Sequence, residues 1–388
     1  MTPWGSVIPD GGAVGGAVGG AVGGVPLSWW VAADDRWHDP AAEKAVRQVL
    51  VDGAPVVETR LRVPQGDVIQ RIYAVADHGG LTVIEVENDS PLPVAVAFSR
   101  ADVLTTRPPT DMPIEGITLP AGSIVVPIGH HATVRVALAH TSPRPGALPA
   151  GLPSSLQVVR GWLAQMERAS RVVLPDSVMA ERLVRERCDL VLNGIDDPTE
   201  DAVGFLLGTC EFARLGWSAD EWLPDIAGVA SSLAASIARR HGGPRWDEDR
   251  ALLAAGHVFS LVNDPLGVRD VAAVRSRLGT RSSAALQVPT GVRAVAWIED
   301  TLARPTTSGA VLLPDGHRKA WLGQSLETYG LPAPGGRSVS FALRWHGERP
   351  AVLWEVTGPT GLTLTSGCDP TWSTSEIKGE GLWSPPLA

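Results

Sequence analysis

Hydrophobic and polar residues alternate over short stretches in the first third of the chain. These stretches are rich in β-branched residues and are separated by breaks that contain Gly, Pro, Asn, Asp or Ser. A period of two with such breaks is typical of the strands of an antiparallel β-sandwich. We therefore predict a β-sandwich-like domain over residues 26–150, with a short helix at 40–51 and strands at 56–63, 67–76, 81–88, 94–99 and 133–140.

A segment rich in Pro, Gly and Ser at 147–155 ends this pattern. Beyond it, hydrophobic residues recur every three to four positions, which predicts helices. The connections are short, so neighbouring helices should pack antiparallel, in a bundle or an incomplete α/α toroid over residues 156–305. We predict six helices, at about 156–169, 177–192, 199–215, 219–240, 246–261 and 265–277.

One stretch of these helices, 229–238, has Ala, Leu or Val on more than one side. A helix that is apolar on several sides is typically buried on all of them. This stretch is therefore predicted to be enclosed by neighbouring helices.

The last part of the chain returns to a period of two. Hydrophobic residues at 339–345 alternate with small or polar ones, and a turn of hairpin length separates them from the apolar stretch 351–356. A third strand is expected at 362–365. These patterns predict a short C-terminal antiparallel β unit with loops over residues 306–388, which makes the chain a multidomain α and β protein.

The first 25 residues stand apart from these patterns. They contain repeats of Ala-Val between pairs of glycines. They lack the basic start and the continuous apolar run of a signal peptide, and they do not match a membrane span. Residues 1–25 are therefore predicted to form a flexible, low-complexity tail.

Charge and cysteine content exclude several partner classes. The formal net charge is −9 and the sequence has no basic run, which argues against nucleic acid and membrane as partners. Cys188, Cys210 and Cys368 are odd in number and widely spaced, so neither a disulfide framework nor a zinc motif is expected, and a cytoplasmic location fits best. The sequence has no phosphate-binding, dinucleotide-binding or metal-binding motif, so we expect no cofactor and no metal.

Three phrases near the C terminus are distinctive: Trp321-Leu322-Gly323-Gln324, Ser338-Val339-Ser340-Phe341-Ala342-Leu343-Arg344-Trp345-His346-Gly347 and Arg349-Pro350-Ala351-Val352-Leu353-Trp354-Glu355. They resemble a tail found in bacterial proteins of the six-hairpin glycosidase type, an α/α-toroid group that includes glucoamylase-like hydrolases and disaccharide phosphorylases. The order of the three structured parts is similar to the layout of that group over most of the chain. The resemblance implies a role in carbohydrate metabolism but brings no catalytic motif, and a full toroid has about twice the helices predicted here.

Glycoside hydrolysis uses two carboxyl groups, and several acids are candidates. Glu211 lies inside an apolar helical stretch, where its carboxylate either pairs with an arginine such as Arg214 or has a shifted pKa that suits catalysis. Asp34 and Asp35 are candidates for the second acid. Further acids occur at 196–197, 247–249 and 299–300, and the first two groups fit solvated surfaces and helix caps.

Aromatic residues mark two places where a saccharide could bind. Near the N terminus, Trp30, Trp37 and His38 stand close in sequence to the two aspartates at 34–35. Indole faces stack on the C–H surfaces of sugars while carboxylates accept their hydroxyl protons, although the same residues would also suit a packed linker. Near the C terminus, Trp345 and Trp354 could bind a sugar or form a cross-strand pair that only stabilises the sheet.

Two functional hypotheses follow. The first is a carbohydrate-active or carbohydrate-binding protein. In its catalytic form this would be a degenerate glycoside hydrolase in which Glu211 acts with Asp34 or Asp35. The second is a non-catalytic scaffold whose aromatic surfaces bind a protein partner.

Overall fold

The computed structural model describes residues 1–8, 25–110, 114–141, 144–240, 243–279 and 288–385. The chain divides into two compact units, Met1–Gly161 and Trp162–Ala388. The first unit is built mainly of strands, and the second combines helices with strands. No helix within the described ranges is long and apolar enough to cross a lipid bilayer.

Eleven strands are described in the first unit. They are β1 (Trp29–Ala32), β2 (Trp37–His38), β3 (Arg47–Leu50), β4 (Val57–Val63), β5 (Gly66–Val75), β6 (Leu81–Asp89), β7 (Val94–Phe98), β8 (Leu104–Thr105), β9 (Ile124–Ile128), β10 (Thr133–Ala139) and β11 (Gly146–Ala147). The five strands predicted between residues 56 and 140 correspond to β4, β5, β6, β7 and β10.

These strands form two sheets. The smaller sheet has the order β2-β1-β7-β9, and the larger one has the order β11-β8-β10-β6-β5-β4-β3. All pairs are antiparallel except β8 with β11, which is parallel. Both sheets contribute to one hydrophobic core, in which Trp29 and Phe98 of the smaller sheet join Leu61 and Ile84 of the larger one.

The helix predicted at 40–51 is wrong. Residues 40–45 form turns, and Arg47–Leu50 form strand β3, which pairs with β4. Asp39 closes a local turn by accepting a hydrogen bond from the Ala41 amide at 2.9 Å. The Asp-Pro signal therefore starts a turn rather than a helix, and pairing with β4 overrides the local helical tendency.

The predicted tail over residues 1–25 needs a correction for its first eight residues. Val7 is buried and forms an antiparallel bridge with Leu27. The carbonyl of Trp4 accepts a hydrogen bond from Trp29 Nε1 at 2.9 Å. This start of the chain is thus fixed to the core of the first unit, while the Gly-Ala-Val repeats lie outside the described residues.

Seven α-helices are described. They are α1 (Ser155–Met166), which crosses the division between the units, α2 (Ser177–Asn193), α3 (Ala202–Leu215), α4 (Leu223–Ala238), α5 (Trp246–Leu261), α6 (Pro265–Leu278) and α7 (Val292–Leu302). The six predicted helices correspond to α1 to α6, and α7 was not predicted. Side-chain caps explain several starts, because Asp176, Asp201 and Asp264 accept hydrogen bonds from amides in the first turns of α2, α3 and α6.

The prediction that the helix over 229–238 is buried on both sides is wrong. On α4, Ile226, Ala230 and Ile237 form a buried stripe, whereas Ala235 and Ala238 are exposed. Alanine has the highest helix propensity and exposes little apolar surface. Its presence all around this helix therefore reflects helix formation rather than burial.

The second unit contains nine described strands. They are β12 (Arg171–Val173), β13 (Ala303–Pro305), β14 (Gly309–Leu312), β15 (Leu326–Ala333), β16 (Arg337–His346), β17 (Arg349–Thr357), β18 (Thr363–Ser366), β19 (Ser373–Thr374) and β20 (Lys378–Leu382). They form sheets of order β12-β15-β16-β17-β20 and β13-β14-β18-β19. The predicted hairpin is β16–β17, and the predicted third strand is β18, which pairs in parallel with β14 in the other sheet.

One hydrophobic core connects these sheets with helices. It contains Leu183 of α2 and Ile298 of α7 together with Val339 and Val352 of the hairpin. The helices and the C-terminal strands thus share buried surface within the second unit. The three-part division drawn from the sequence stays a prediction.

Candidate functional site

The β1–β2 hairpin carries all five candidates from the N-terminal part of the chain. Trp30 lies on β1, Trp37 and His38 form β2, and Asp34 and Asp35 lie exposed in the turn between the strands. The turn is closed by a hydrogen bond from the Ala33 amide to the Arg36 carbonyl at 3.1 Å. Short antiparallel pairing therefore places these residue types next to one another.

Both tryptophans of the hairpin lie on the same face of the smaller sheet. Trp37 is paired with Ala32, and Trp30 is two residues from Ala32 on the same strand. Side chains alternate along a strand, so the two indoles are diagonal neighbours on this face, at positions about 7–8 Å apart. Both are partly exposed. The Trp37 indole N–H donates to the Glu115 carbonyl at 2.8 Å, which fixes one edge of that ring.

His38 lies on the opposite face and is 3% exposed. Its Nδ1 is 3.0 Å from a carboxylate oxygen of Glu43, and its Nε2 is 2.9 Å from a carboxylate oxygen of Asp35. Both ring nitrogens are therefore engaged. The structure separates His38 from the two indoles and gives it contacts that hold the turn in place.

The acids around His38 are held in their ionised form. The hydrogen bond from His38 lowers the pKa of Asp35 below its usual value. Burial acts to raise the pKa of Glu43, but hydrogen bonds from Arg36 and His38 outweigh it, so this pKa is also lowered. The turn thus presents carboxylates that accept hydrogen bonds and are poor proton donors near neutral pH.

Glu211 lies on α3 in the interior of the second unit, 3% exposed. Its Oε1 accepts a hydrogen bond from Arg187 Nε at 2.6 Å, and its Oε2 accepts one from Arg214 Nη1 at 2.7 Å. The sequence offered a pairing with Arg214 as one alternative, and that contact is present. Two arginines therefore occupy both carboxylate oxygens.

Glu299 of α7 completes this cluster. Its Oε1 accepts hydrogen bonds from Ser170 at 2.7 Å, Arg187 at 2.9 Å and Arg214 at 2.8 Å. Burial acts to raise the pKa of Glu299, but the two arginines outweigh it and the pKa is lowered. We call Arg187, Glu211, Arg214 and Glu299 the buried ion cluster.

The sequence analysis noted Glu299 only as one of several acids. The missed signal is the spacing of Val292, Val295, Ile298 and Leu302, which predicts a helix with one buried face. Glu299 follows Ile298 on the side of α7 that packs inward. A carboxylate on a buried helical face requires a buried cation, and Arg187 of α2 supplies one.

Other paired acids divide between the surface and the interior. Asp197 is exposed and closes a turn by accepting from Thr199, as predicted for a solvated acid. Glu248 and Asp249 are instead buried, and Arg275 binds Asp249 through two hydrogen bonds of 2.9 and 3.0 Å. Glu248 fits the predicted helix cap, because it accepts a hydrogen bond from the Arg245 amide at 2.8 Å at the start of α5. The prediction of a solvated face or a cap is wrong for Asp249, because Arg275 of α6 compensates its buried charge.

The C-terminal tryptophans do not form the cross-strand pair that the sequence suggested. The register of the hairpin places Trp345 opposite Pro350 and Trp354 opposite Phe341. They are joined instead through a chain of rings with centroid distances of 5.3 to 6.2 Å, in the order Trp354, Trp372, Trp383, His317 and Trp345.

These two tryptophans also use their indole N–H groups within the protein. Trp354 is 6% exposed and donates to the Glu376 carbonyl at 3.0 Å. Trp345 is half-buried and donates to the Gln324 carbonyl at 2.9 Å. Arg349 donates to the Trp383 carbonyl at 3.3 Å. Stabilisation of the sheet accounts for all these contacts.

Comparison with known proteins adds no family. No protein-family model matches the chain, and no curated protein matches it in a sequence search. The arguments for function therefore come from the side chains of the hairpin and of the second unit.

Proposed function

We propose that the chain is a carbohydrate-binding protein whose saccharide contacts the β1–β2 hairpin. One observation carries the proposal: Trp30 and Trp37 are diagonal neighbours on one face of a sheet, and Asp34 and Asp35 lie exposed in the adjoining turn, where Asp35 uses one carboxylate oxygen for His38. Indole faces bind the C–H surface of a sugar ring, and ionised carboxylates accept its hydroxyl protons.

The residues beside the two indoles support this proposal. Ala95 pairs with Ala32, and Ala97 pairs with Trp30, so the same face carries alanines next to the tryptophans. Alanine side chains rise little above the sheet. Ala95 is partly exposed, which leaves room for a sugar ring there, whereas Ala97 is 0% exposed and lies under other parts of the chain.

The ionisation states favour binding over hydrolysis. A glycoside hydrolase needs one carboxyl group that stays protonated to give a proton to the leaving oxygen. The pKa of Asp35 is lowered, and both oxygens of Glu211 accept hydrogen bonds from arginines. These acids are better suited to accepting hydrogen bonds than to donating protons, so we propose a non-catalytic role.

The architectural part of the proposal concerns the six-hairpin layout. A core shared by two sheets supports a β-sandwich in the first unit, and seven helices in the described residues support an array shorter than a full toroid. A protein that keeps this layout without a catalytic acid pair would be a degenerate member of such a group. Burial raises the pKa of the Cys188 and Cys210 thiols to about 12, so these thiols stay protonated and unreactive near neutral pH. Unreactive free thiols fit the cytoplasmic location that we propose.

A glycan array followed by calorimetry tests the proposal. Wild-type protein is screened against glucose-, mannose- and trehalose-type sugars, and the best binder is titrated by calorimetry. Trp37→Ala removes one stacking surface and should weaken binding about tenfold, or ~1.4 kcal/mol. Trp217→Ala is the control, because Trp217 is a partly exposed tryptophan on another part of the chain (38% exposed) and should leave binding unchanged.

Two results would count against the proposal. If no sugar binds, the protein-interaction alternative gains weight and the carbohydrate proposal fails. If sugar is hydrolysed, and Glu211→Gln abolishes hydrolysis in protein that remains folded, the non-catalytic role is wrong.

A further inference from the structure

The second unit contains a partly open cavity of about 50 Å³ between α3, α5 and α7. Most of its wall is apolar and includes Leu207, Leu253 and Val295. The remaining wall is polar and includes Arg250 and His257 of α5, beside the buried ion cluster. A mostly apolar cavity with a few converging polar groups is the common form of a small-molecule site.

Three polar atoms of the cavity residues have no hydrogen-bond partner in the described part of the chain. They are Nη1 of Arg250, Nδ1 of His257, and Nε of Arg250, which is only in ion-pair contact with Asp300. Arg250 is 5% exposed, and its Nε lies 2.9 Å from Asp300 while its Nη2 donates to the Pro305 carbonyl at 3.3 Å. Buried polar groups are normally paired, so an unpaired guanidinium nitrogen indicates a missing acceptor.

The charges around the cavity are already balanced. Ion pairs connect four arginines with four acids, namely Arg187, Arg214, Arg250 and Arg275 with Glu211, Asp249, Glu299 and Asp300. A carboxylate or an ammonium ion entering the cavity would add a buried charge without a partner, which is unfavourable. An uncharged ligand avoids that cost.

The size of the cavity limits the ligand further. A water molecule needs about 10–15 Å³ of cavity volume measured on the same scale, so a cavity of about 50 Å³ has room for roughly three to five non-hydrogen atoms. An oxygen acceptor would satisfy Arg250 Nη1. A group that can both donate and accept suits His257 Nδ1, whose role depends on the tautomer.

We propose that this cavity binds a small uncharged molecule that carries an oxygen acceptor on a short apolar chain, as a short-chain amide or alcohol does. The oxygen accepts from Arg250, the amide or hydroxyl group meets His257, and the chain lies against Leu207 and Leu253. The site shares no residue with the hairpin, so a failure of carbohydrate binding would not contradict it.

Propionamide and propionate distinguish this proposal from simple hydration of the cavity. The two probes have the same shape, and only propionate is charged at neutral pH. Binding to the full chain is followed by ligand-observed NMR and by thermal shift. Propionamide should bind saturably, and propionate should bind at least about tenfold more weakly because its charge finds no partner.

Two substitutions locate the binding. Ala254→Leu fills the cavity from α5, and His257→Phe removes the ring nitrogens while keeping a ring, so each should weaken propionamide binding about tenfold. Ala235→Leu makes the same alanine change on the exposed side of α4 and should have no effect. If either cavity variant fails to fold, the comparison of propionamide with propionate on wild-type protein still tests whether the cavity prefers an uncharged ligand.

Three results would overturn the proposal. Absence of saturable propionamide binding would mean that the cavity holds water only. Equal binding of propionate would contradict the charge argument. Propionamide binding that is unchanged in folded Ala254→Leu protein would place the ligand elsewhere.

Discussion

Glu299 accepts hydrogen bonds from two arginines and one serine in the interior of the second unit. Its substitution by glutamine keeps the shape of the side chain and removes the charge. Arg187 and Arg214 would then share one carboxylate, so Glu299→Gln should destabilise the protein by about 3 kcal/mol in urea unfolding. Glu355→Gln, on an exposed position of β17, is the control and should change stability by less than about 0.5 kcal/mol.

The same residue predicts a pH dependence. The pKa of Glu299 is lowered below its usual 4.5 in the folded state. Its contribution to stability is therefore complete above about pH 4.5 and is lost as the pH falls further. The stability difference between wild type and Glu299→Gln should shrink between pH 5 and pH 3, and a constant difference over that range would contradict the assignment.

His257 predicts a dependence in a higher pH range. Burial first, and the nearby Arg214 second, lower its pKa from 6.5 to about 4, while Glu299 acts in the opposite direction. The unfolded chain then binds a proton below pH 6.5 that the folded chain does not bind, so stability falls as the pH falls toward 4. The loss from this group between pH 7 and pH 5 should be about 2 kcal/mol.

Urea unfolding at pH 7 and pH 5 measures this loss. His257→Phe should lose about 2 kcal/mol less than wild type over that interval, because it cannot bind the proton. His346→Phe alters an exposed histidine and serves as the control. Equal losses in His257→Phe and wild type would show that His257 is free to protonate in the folded state.

At the scale of secondary-structure elements, the end of α3 depends on one glycine. Gly216 has a φ of +100°, in the left-handed region that other residues adopt only with strain. A Cβ there would also stand 2.3 Å from the end of the flexible Arg168 side chain, which can move away. Gly216→Ala should therefore destabilise the protein by about 1 kcal/mol, mainly through backbone strain.

A second glycine provides the matched comparison. Gly228 lies inside α4, and a Cβ there would meet no atom within 4 Å. Gly228→Ala should stabilise the protein by up to about 1 kcal/mol, because alanine favours the helix. Thermal unfolding of both variants checks the pair, and a loss of stability in Gly228→Ala would contradict the exposed position of this face.

Elements with a regular local pattern could be predicted from the sequence. Strands β4 to β7, helices α1 to α6 and the β16–β17 hairpin follow from periodicity and from residues such as Gly216 that end a helix. Strand β3 could not, because its conformation depends on pairing with β4. The exposed side of α4 could not either, because alanine is compatible with both a buried and an exposed face.

At the candidate sites, contacts between residues that are far apart in sequence could not be predicted. The sequence placed Trp30, Asp34, Asp35 and Trp37 together because they are neighbours along the chain. It offered Arg214 for Glu211, which is three residues away, but not Arg187, which lies on another helix. The pairing of Trp345 and Trp354 failed for a related reason, since spacing along the chain does not give the register of a hairpin.

At the scale of the whole molecule, the chain forms two compact units that divide at Gly161. Separate cores are expected to unfold as separate cooperative units. Calorimetry should therefore show two transitions, and Glu299→Gln should lower only the one that belongs to the second unit. Phe98→Ala, in the core of the first unit, should lower only the other. A single transition shifted by both substitutions would contradict two independent cores.

The sequence could not assign the C-terminal strands to a core. Their period of two predicts a sheet with one buried face, but it does not say what covers that face. In the structure, α2 and α7 contribute to that core, and α7 was not predicted. The organisation of the second unit therefore depends on α7, a helix that was not predicted from the sequence.

The most direct test of the carbohydrate proposal follows the indole N–H signals of the chain by NMR. Trp30→Phe and Trp37→Phe assign two of these signals, and the best sugar from the array is then titrated. The account predicts saturable shifts of the Trp30 and Trp37 signals, with those of Trp345 and Trp354 unchanged. Shifts confined to Trp345 and Trp354, or no shift at any indole, would contradict it.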